Sequence, residues 1–458
     1  AGDSPRAADG ETRQMKNAGF VLTFLVAVMT LSAQKIDRTK PPQTPPMAPF
    51  KLPSVQETVL PNGLRVVLVE DRRLPMVTVR LGFEAGSKFD PQEAPGLAQA
   101  TASLLTEGTK SRTSREIADQ LAEIGGALKA DAGADTLTVS GRVLAENLPR
   151  LLELLAEVSL NASFPEEEVK LYRSRRTQEL IAARSRADYW ADEKIAAVVF
   201  GPHPYARINP TLESVASLKR EDVAAFRDRH LVSNNAVLVL LGAIPPRQET
   251  LELVRSRFGS WRKGDLPVLP SDGFPPPRPS LTLVDRPGSV QADIRVGRLA
   301  VDRLSPDYFP LVVANTILGG GTSSRMFMNI REKQGFAYDA HSRLEPRKQA
   351  GLFVAVTQVR AEVLEPALKA LFSEMEALAA APVSASELEN ARNYRSGRFL
   401  MSMEAQDNVA DQLLATRLLG LPPDYLETFT ARVQGVTAEQ VRQAAGKYFS
   451  PQAAGVVV

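Results

Sequence analysis

The chain of 458 residues contains no cysteine, which excludes disulfides, thiolate metal sites and a cysteine nucleophile. It has only three histidines, His203, His230 and His341, and no two have the i, i+4 spacing that places both imidazoles on one helix face. It also lacks an excess of charge, because 55 basic and 53 acidic residues are interleaved. Nucleic-acid binding would require a stripe of basic residues interleaved with aromatic ones. The sequence has no such stripe, so we expect no nucleic-acid partner.

The composition that remains is typical of a globular protein. Hydrophobic residues make up 44% of the chain and charged residues 24%, which argues against disorder and against a protein with many membrane spans. The length predicts two or more domains.

The N-terminal residues are typical of an export signal. A short basic start at 15–17 precedes an apolar run at 19–31, and Ser32 and Ala33 are small residues suited to cleavage. The apolar run is shorter than the roughly 20 residues that span a bilayer, which favours a cleaved signal over an anchor. We therefore expect residues 1–33 to be an extension plus a signal peptide. The protein would be exported, and either periplasmic or membrane-associated and facing the periplasm.

Two proline-rich stretches suggest the domain boundaries. Residues 34–58 are predicted to be an extended tether, and residues 266–280 a linker. They bracket an N-terminal domain at 59–265 and leave a C-terminal domain at 281–458.

Strand-like and helix-like patterns follow the same order in both halves. Single strands are predicted at 64–70, 76–84, 237–241, 281–285, 292–300 and 352–358, and two strands within 127–143. Helices are predicted at 96–105, 114–124, 148–160, 166–184, 309–317, 326–330, 363–379, 386–404, 407–418 and 438–445. Each half ends in a helix end, a turn and an apolar strand. The sequence therefore predicts an α+β fold of two repeated domains, each a mixed β-sheet flanked by helices.

Several separated motifs resemble one protein family. The segment "GFEAGSKFDPQEAPGLAQATASLLTEGTKSRTSREIADQLAEIGGALKA" resembles the zinc-site region of the pitrilysin/insulinase-type zinc metallopeptidases, particularly the half-length processing-peptidase-like branch. "GPHPYARINPTLESVASLKREDVAAFRDRHLVSNNAVLVLLG", "ANTILGGGTSSRMFMNIREKQGFAYDAHS" and "SPQAAGVVV" follow in family order, so the resemblance covers residues 55–458. It implies a metallohydrolase-like fold in which one chain forms a half clam-shell.

The zinc motif of that family is missing. Active members carry His-x-x-Glu-His on a helix, with two imidazoles as zinc ligands and the glutamate as general base. Here the three positions are Gln99, Ala102 and Ser103, and an amide, a methyl group and a hydroxyl cannot replace those functions. Glu179 matches the family's third ligand, but a lone carboxylate does not hold zinc, so we expect an ordinary helix residue there and no cofactor in this chain.

Other family residues are retained in the second half. The resemblance implies that Arg331 and Tyr338 complete the active site across the cleft from the metal, where both can donate hydrogen bonds to a substrate carbonyl. Gly335 predicts a helix end and a turn between them.

A glycine-rich loop follows the same resemblance. In processing-peptidase partners this loop is implicated in substrate handling, and a tight structural turn is the alternative interpretation. The predicted substrate-binding residues are Gly319, Gly320, Gly321, Ser323, Ser324 and Arg325.

These features predict the non-zinc subunit of an exported heterodimeric metallopeptidase. A homologous partner would carry His-x-x-Glu-His and the zinc, and the pair would cleave peptides. The alternative is a catalytically inactive homodimer that acts as a scaffold or binds peptides. A third hypothesis places a relocated metal site on the three isolated histidines, of which His203 is expected to be a structural cap.

Overall fold

Two β-sheets form the framework of the protein. A computed structural model describes Gly2, residues 50–266, Val268 and residues 273–458. The first sheet has the strand order β1-β2-β6-β3-β5-β4 and consists of β1 (Val55–Val59), β2 (Arg65–Glu70), β3 (Met76–Phe83), β4 (Ala127–Ala132), β5 (Leu137–Leu144) and β6 (Ala236–Gly242). The second has the order β7-β11-β8-β10-β9 and consists of β7 (Ser280–Thr282), β8 (Gln291–Ala300), β9 (Ala337–Pro346), β10 (Gly351–Arg360) and β11 (Gly455–Val457).

Helices flank both sheets. Those of the first half are α1 (Leu97–Leu104), α2 (Ser114–Glu123), α3 (Leu148–Leu160), α4 (Glu166–Arg184), α5 (Ala187–Phe200), α6 (Leu212–Ser217), α7 (Arg220–His230) and α8 (Arg247–Phe258). Those of the second half are α9 (Tyr308–Gly319), a π-helix (Phe327–Lys333), α10 (Leu364–Ala380), α11 (Ala385–Ser402), α12 (Gln406–Leu418), α13 (Tyr425–Gln434) and α14 (Ala438–Tyr448).

The two sheets share one topology once the edge strand β1 is set aside. In the first sheet β2 pairs with β6 in parallel, and in the second β7 pairs with β11 in parallel. The remaining pairs of both sheets are antiparallel, in the same order. The predicted α+β fold, with two copies of one sheet-and-helix unit, is therefore confirmed.

Each sheet is covered on one face by a helix from the other half. Helix α12 packs on β3 and β6, and α5 packs on β8. Glycine permits this close approach at equivalent points: a Cβ on Gly82 would lie 2.7 Å from Leu414, and a Cβ on Gly297 would lie 2.5 Å from Ile195. The two helix-on-sheet contacts are thus equivalent in the two repeats.

A buried arginine lies two residues before each of these glycines, at equivalent positions of the two sheets. Arg80 of β3 donates to Asp411 (2.5 Å) and Asp407 (2.8 Å) of α12. Arg295 of β8 donates to Asp192 (2.7 Å) of α5. Burial alone would raise the pKa of Asp407, but Arg80 and Arg142 together outweigh burial and lower that pKa. These exchanged helices join the halves into one compact unit.

The described part of the predicted tether is packed structure rather than a free spacer. Val55–Val59 forms β1 and pairs antiparallel with β2. Further upstream, the Phe50 ring lies 5.6 Å from that of Phe399, and the backbone N–H of Leu52 donates to Glu427 (3.2 Å). Backbone pairing and apolar contacts thus hold a segment that its proline content predicts to be extended.

The predicted linker also touches the first half, because the Phe274 ring lies 4.5 Å from the His203 imidazole. The predicted strand at 281–285 is shorter and shifted, at Ser280–Thr282. The predicted signal peptide lies outside the described residues. Within the described ranges, the helices are all too short or too polar to cross a membrane.

Candidate functional site

Helix α1 carries the positions where the resemblance puts zinc ligands, and a buried carboxylate fixes its start. The Asp90 carboxylate accepts hydrogen bonds from the backbone N–H groups of Gly96 (2.7 Å) and Ala98 (2.8 Å). Gly96 adopts φ = +94°, a conformation that glycine favours. Burial raises the pKa of Asp90 to about 6, although both backbone bonds act in the opposite direction.

The polar side chains on α1 satisfy each other. The Gln99 amide oxygen accepts from the Ala132 N–H (3.1 Å), and the Gln99 Nε2 donates to Ser103 Oγ (3.3 Å). Ala102, at the general-base position, is fully buried and has no polar group. This face of α1 therefore forms a small neutral hydrogen-bond network between the helix and β4.

Glu179 does not complete a metal site in this chain. Its side chain is 62% exposed and forms an ion pair with Arg176 on its own helix α4 (3.1 Å). Among the described residues it makes no hydrogen bond to Gln99 or Ser103. One amide, one hydroxyl and one ion-paired carboxylate do not fit zinc, which prefers imidazole or thiolate ligands.

The three histidines lie in separate surroundings, so the hypothesis of a relocated metal site is wrong. His203 Nδ1 accepts from the Tyr205 N–H (3.1 Å), which confirms its predicted capping role. His230 is buried against Phe226, and burial lowers its pKa to about 4. Across the described ranges, no group of three or more acidic or histidine side chains is placed to hold a metal ion.

The retained arginine and tyrosine are brought together by a turn. Arg331 lies in the π-helix, and Tyr338 is the second residue of β9. Gly335 (φ = +62°) donates its N–H to the Arg331 carbonyl (3.0 Å), which confirms the predicted helix end and turn. The predicted helix at 326–330 is a π-helix, whose wider turn is seen in the bond from the Gln334 N–H to the Asn329 carbonyl (3.0 Å).

Both side chains reach solvent from one surface. The Arg331 guanidinium carbon lies 4.9 Å from the centre of the Tyr338 ring and 4.6 Å from that of Phe327. Tyr338 is 86% exposed, an unusual exposure for an aromatic residue in a strand. A groove of about 500 Å³ begins at Tyr338 and runs over the end of the second sheet, along Asp293 and Gln358. Tyr338 is therefore accessible to an external peptide, and Arg331 packs beside it.

The glycine-rich loop has a packing role as well as an open face. A Cβ on Gly319 would lie 2.3 Å from the Ser342 nitrogen, and one on Gly320 would lie 2.6 Å from the Thr316 Cα. These two glycines are needed for close packing, as the turn interpretation expects. Gly321 and Ser323 instead line a small cavity of about 210 Å³.

The other two residues predicted to contact substrate point elsewhere. Ser324 is buried, and Arg325 is held by a bidentate ion pair with Glu387 of α11 (2.7 and 2.8 Å). The predicted substrate-binding set thus divides into residues that pack the loop and residues that border the cavity.

Sequence reasoning missed Phe327, whose ring contacts the Arg331 guanidinium. The aromatic residue four positions before the arginine in "MFMNIRE" is the signal that identifies it.

Fold and site together define a two-repeat chain of the metallopeptidase type, with its metal positions substituted and an arginine packed beside an exposed tyrosine. The chain belongs to peptidase family M16, the insulinase family. The model described as "Insulinase (Peptidase family M16)" matches residues 65–209, and the model described as "Peptidase M16 inactive domain" matches residues 217–394.

Solved structures have the same fold. The crystal structure of a peptidase M16 inactive domain from Pseudomonas fluorescens superimposes with a TM-score of 0.82 at 28% identity, covering 88% of this chain and 97% of that one. A protease from Helicobacter pylori, at 20% identity, has a TM-score of 0.80, covers 89% and 99% of the two chains, and shows the fold alone.

Sequence relatives include a Mycobacterium tuberculosis protein described as an uncharacterized zinc protease. It is 26% identical over 408 residues, which cover 88% of this chain and 93% of the relative. A probable mitochondrial-processing peptidase subunit beta from Arabidopsis thaliana is 26% identical, with 86% of this chain and 76% of the relative covered.

Proposed function

We propose that this chain is the non-zinc subunit of an exported heterodimeric zinc metallopeptidase. A homologous partner that carries His-x-x-Glu-His would hold the zinc, and this chain would supply Arg331 and Tyr338 to the partner's site. The observation that carries the proposal is the packing of Arg331 beside the exposed Tyr338, in a chain whose own ligand positions do not fit zinc. The similarity to a processing-peptidase subunit supports a paired assembly.

The chemistry of the pair suits peptide hydrolysis. A guanidinium and a phenol on one surface can both donate to the carbonyl oxygen of a scissile peptide bond, where negative charge develops during attack. Tyr338 lies on β9, which is an edge strand of the second sheet as described, and an edge strand can offer backbone groups to an extended peptide. An unfolded or short peptide is therefore the substrate class that we propose.

The test uses the assembly of this chain with its partner subunit, purified from the native cells. A tagged chain is purified with its partner, and cleavage of a quenched fluorescent peptide library is compared for the native chain, Arg331→Ala and Tyr338→Phe. Removal of one donor should lower kcat by about 100-fold or more while assembly is unchanged. Full activity in both variants would refute the assigned role.

The second candidate is an inactive homodimeric scaffold or peptide-binding protein. The similarity to a solved structure described as an inactive domain favours it. Purification of a stable homodimer with no peptidase activity would support this function instead.

A further inference from the structure

Arg331 contacts two aromatic rings, and one of them belongs to its own helix. Phe327 and Arg331 are four residues apart in the π-helix, and the ring centre lies 4.6 Å from the guanidinium carbon. The second ring is that of Tyr338, at 4.9 Å. A planar guanidinium packs well on aromatic faces and keeps its N–H groups free at the edge of the plane.

The π-helix itself is tied to its surroundings. Asn329 Nδ2 donates to Glu374 of α10 (2.6 Å), and Gln334 Nε2 donates to Asn329 Oδ1 (2.8 Å). The backbone N–H of Phe336 donates to the Ile330 carbonyl (3.0 Å), which closes the wide final turn. The backbone beneath Arg331 is thus fixed, and the remaining freedom lies in the arginine side chain.

Arg331 is only partly buried, and a long arginine side chain in such a place would otherwise sample many rotamers. Among the described residues, its ion-pair partner is Glu332, at 3.4 Å from Arg331 Nε, and both side chains are substantially exposed. Exposed pairs of this kind contribute little, so this contact does not fix the guanidinium. The ring contacts are the remaining restraint that can do so.

We propose that Phe327 is a positioning residue, whose ring holds the Arg331 guanidinium beside Tyr338 so that both donors face the same direction before substrate arrives. Its catalytic consequence rests on the proposed function, whereas the contact itself does not. Donors that are already oriented lose less freedom in the transition state, and small displacements cost about 100-fold in rate.

The first test observes Arg331 directly in the full chain. Arginine side-chain NMR signals are recorded for the native chain, with Arg331→Lys used for assignment. Ring currents should shift the Arg331 signals upfield, and Phe327→Leu should reduce that shift and increase the mobility of the side chain. Phe327→Tyr should retain both properties, and Phe372→Leu, at a half-buried site on α10, controls for a general loss of packing. Arg331 signals unchanged by Phe327→Leu would overturn the proposal.

The second test measures turnover in the purified pair. Phe327→Leu should lower kcat by about tenfold to 100-fold with little change in KM, and Phe327→Tyr should restore kcat. If Arg331→Ala and Tyr338→Phe keep full activity, the proposed function fails while the NMR result still decides the contact. If those two variants are inactive and Phe327→Leu has native kcat, the positioning role fails.

Discussion

Gln99 Nε2 lies 3.3 Å from Ser103 Oγ, one helical turn further along α1, so the side chains at the two imidazole positions hydrogen-bond to each other. The network extends to the Ala132 N–H of β4. The helix that carries zinc ligands in active relatives here supports the sheet edge instead. The residues that replace the two imidazoles thus make structural hydrogen bonds.

Restoring the family motif tests this interpretation. The triple variant Gln99→His, Ala102→Glu and Ser103→His should acquire one zinc per chain if Glu179 on α4 lies within reach. Adding Arg176→Ala should raise the zinc affinity by no more than about fivefold, because an exposed ion pair contributes only ~0–1 kcal/mol. Zinc content after dialysis and competition with a chromophoric chelator give both values. Gln99→His alone serves as the control and should bind no zinc, and a folded triple variant without zinc would show that Glu179 is out of reach.

Because helix α5 packs closely on β8, there is no room for a side chain at Gly297. A Cβ there would lie 2.5 Å from Ile195 Cγ1 and 3.1 Å from Val199 Cγ2, so Gly297→Ala should lower the free energy of unfolding by about 1–3 kcal/mol. Gly397→Ala is the matched control, since a Cβ there meets nothing within 4 Å in the middle of α11, and it should stabilise by up to about 1 kcal/mol. Urea unfolding measures both. Equal stability of Gly297→Ala and the native chain would mean that α5 does not press on β8 as described.

Asp90 should make stability depend on pH. Burial raises its pKa from 3.8 to about 6, so the folded state holds the proton more tightly than the unfolded state. Its contribution to stability is therefore fully present below pH 3.8 and is lost as the pH rises through 6. Between pH values well below 3.8 and well above 6, the contribution of Asp90 to the free energy of unfolding changes by about 3 kcal/mol.

Asp90→Asn removes this titration. The free energy of unfolding of the native chain minus that of the variant should be larger at pH 4 than at pH 7, as measured by urea unfolding at both values. An identical difference at both pH values would show that Asp90 has an ordinary pKa.

The sequence predicted most of the described strands and helices, but it missed strand β9 and the helices α5, α6, α8 and α13. Helices α3 and α4 have the predicted bounds, because Pro165 and the acidic first turn of Glu166–Arg184 mark a helix start unambiguously. The edge strand Val55–Val59 was missed because it follows a proline-rich stretch and contains polar residues, and its partner strand is supplied only by the tertiary structure.

The exchange of helices between the halves could not be predicted from local patterns. It depends on contacts between residues more than 100 positions apart, such as Arg295 with Asp192. One signal was present in the sequence: an arginine two residues before a glycine recurs at Arg80 and Arg295, at equivalent points of the two repeats. Aligning the repeats against each other would have identified it.

The candidate site was predicted in part. Arg331 and Tyr338 are adjacent as the family resemblance implies, and the turn at Gly335 follows from the glycine. The π-helix was not predicted, because i→i+5 pairing leaves no periodic signature over seven residues. The burial of Ser324 and the pairing of Arg325 with Glu387 likewise depend on helix α11.

The zinc content of the assembly purified from native cells, measured together with its subunit composition and its peptide cleavage, decides between the functions. We expect two different chains in equal amounts, one zinc per pair, and cleavage that Arg331→Ala slows by about 100-fold or more. A homodimer of this chain without zinc and without cleavage would contradict the proposed subunit role.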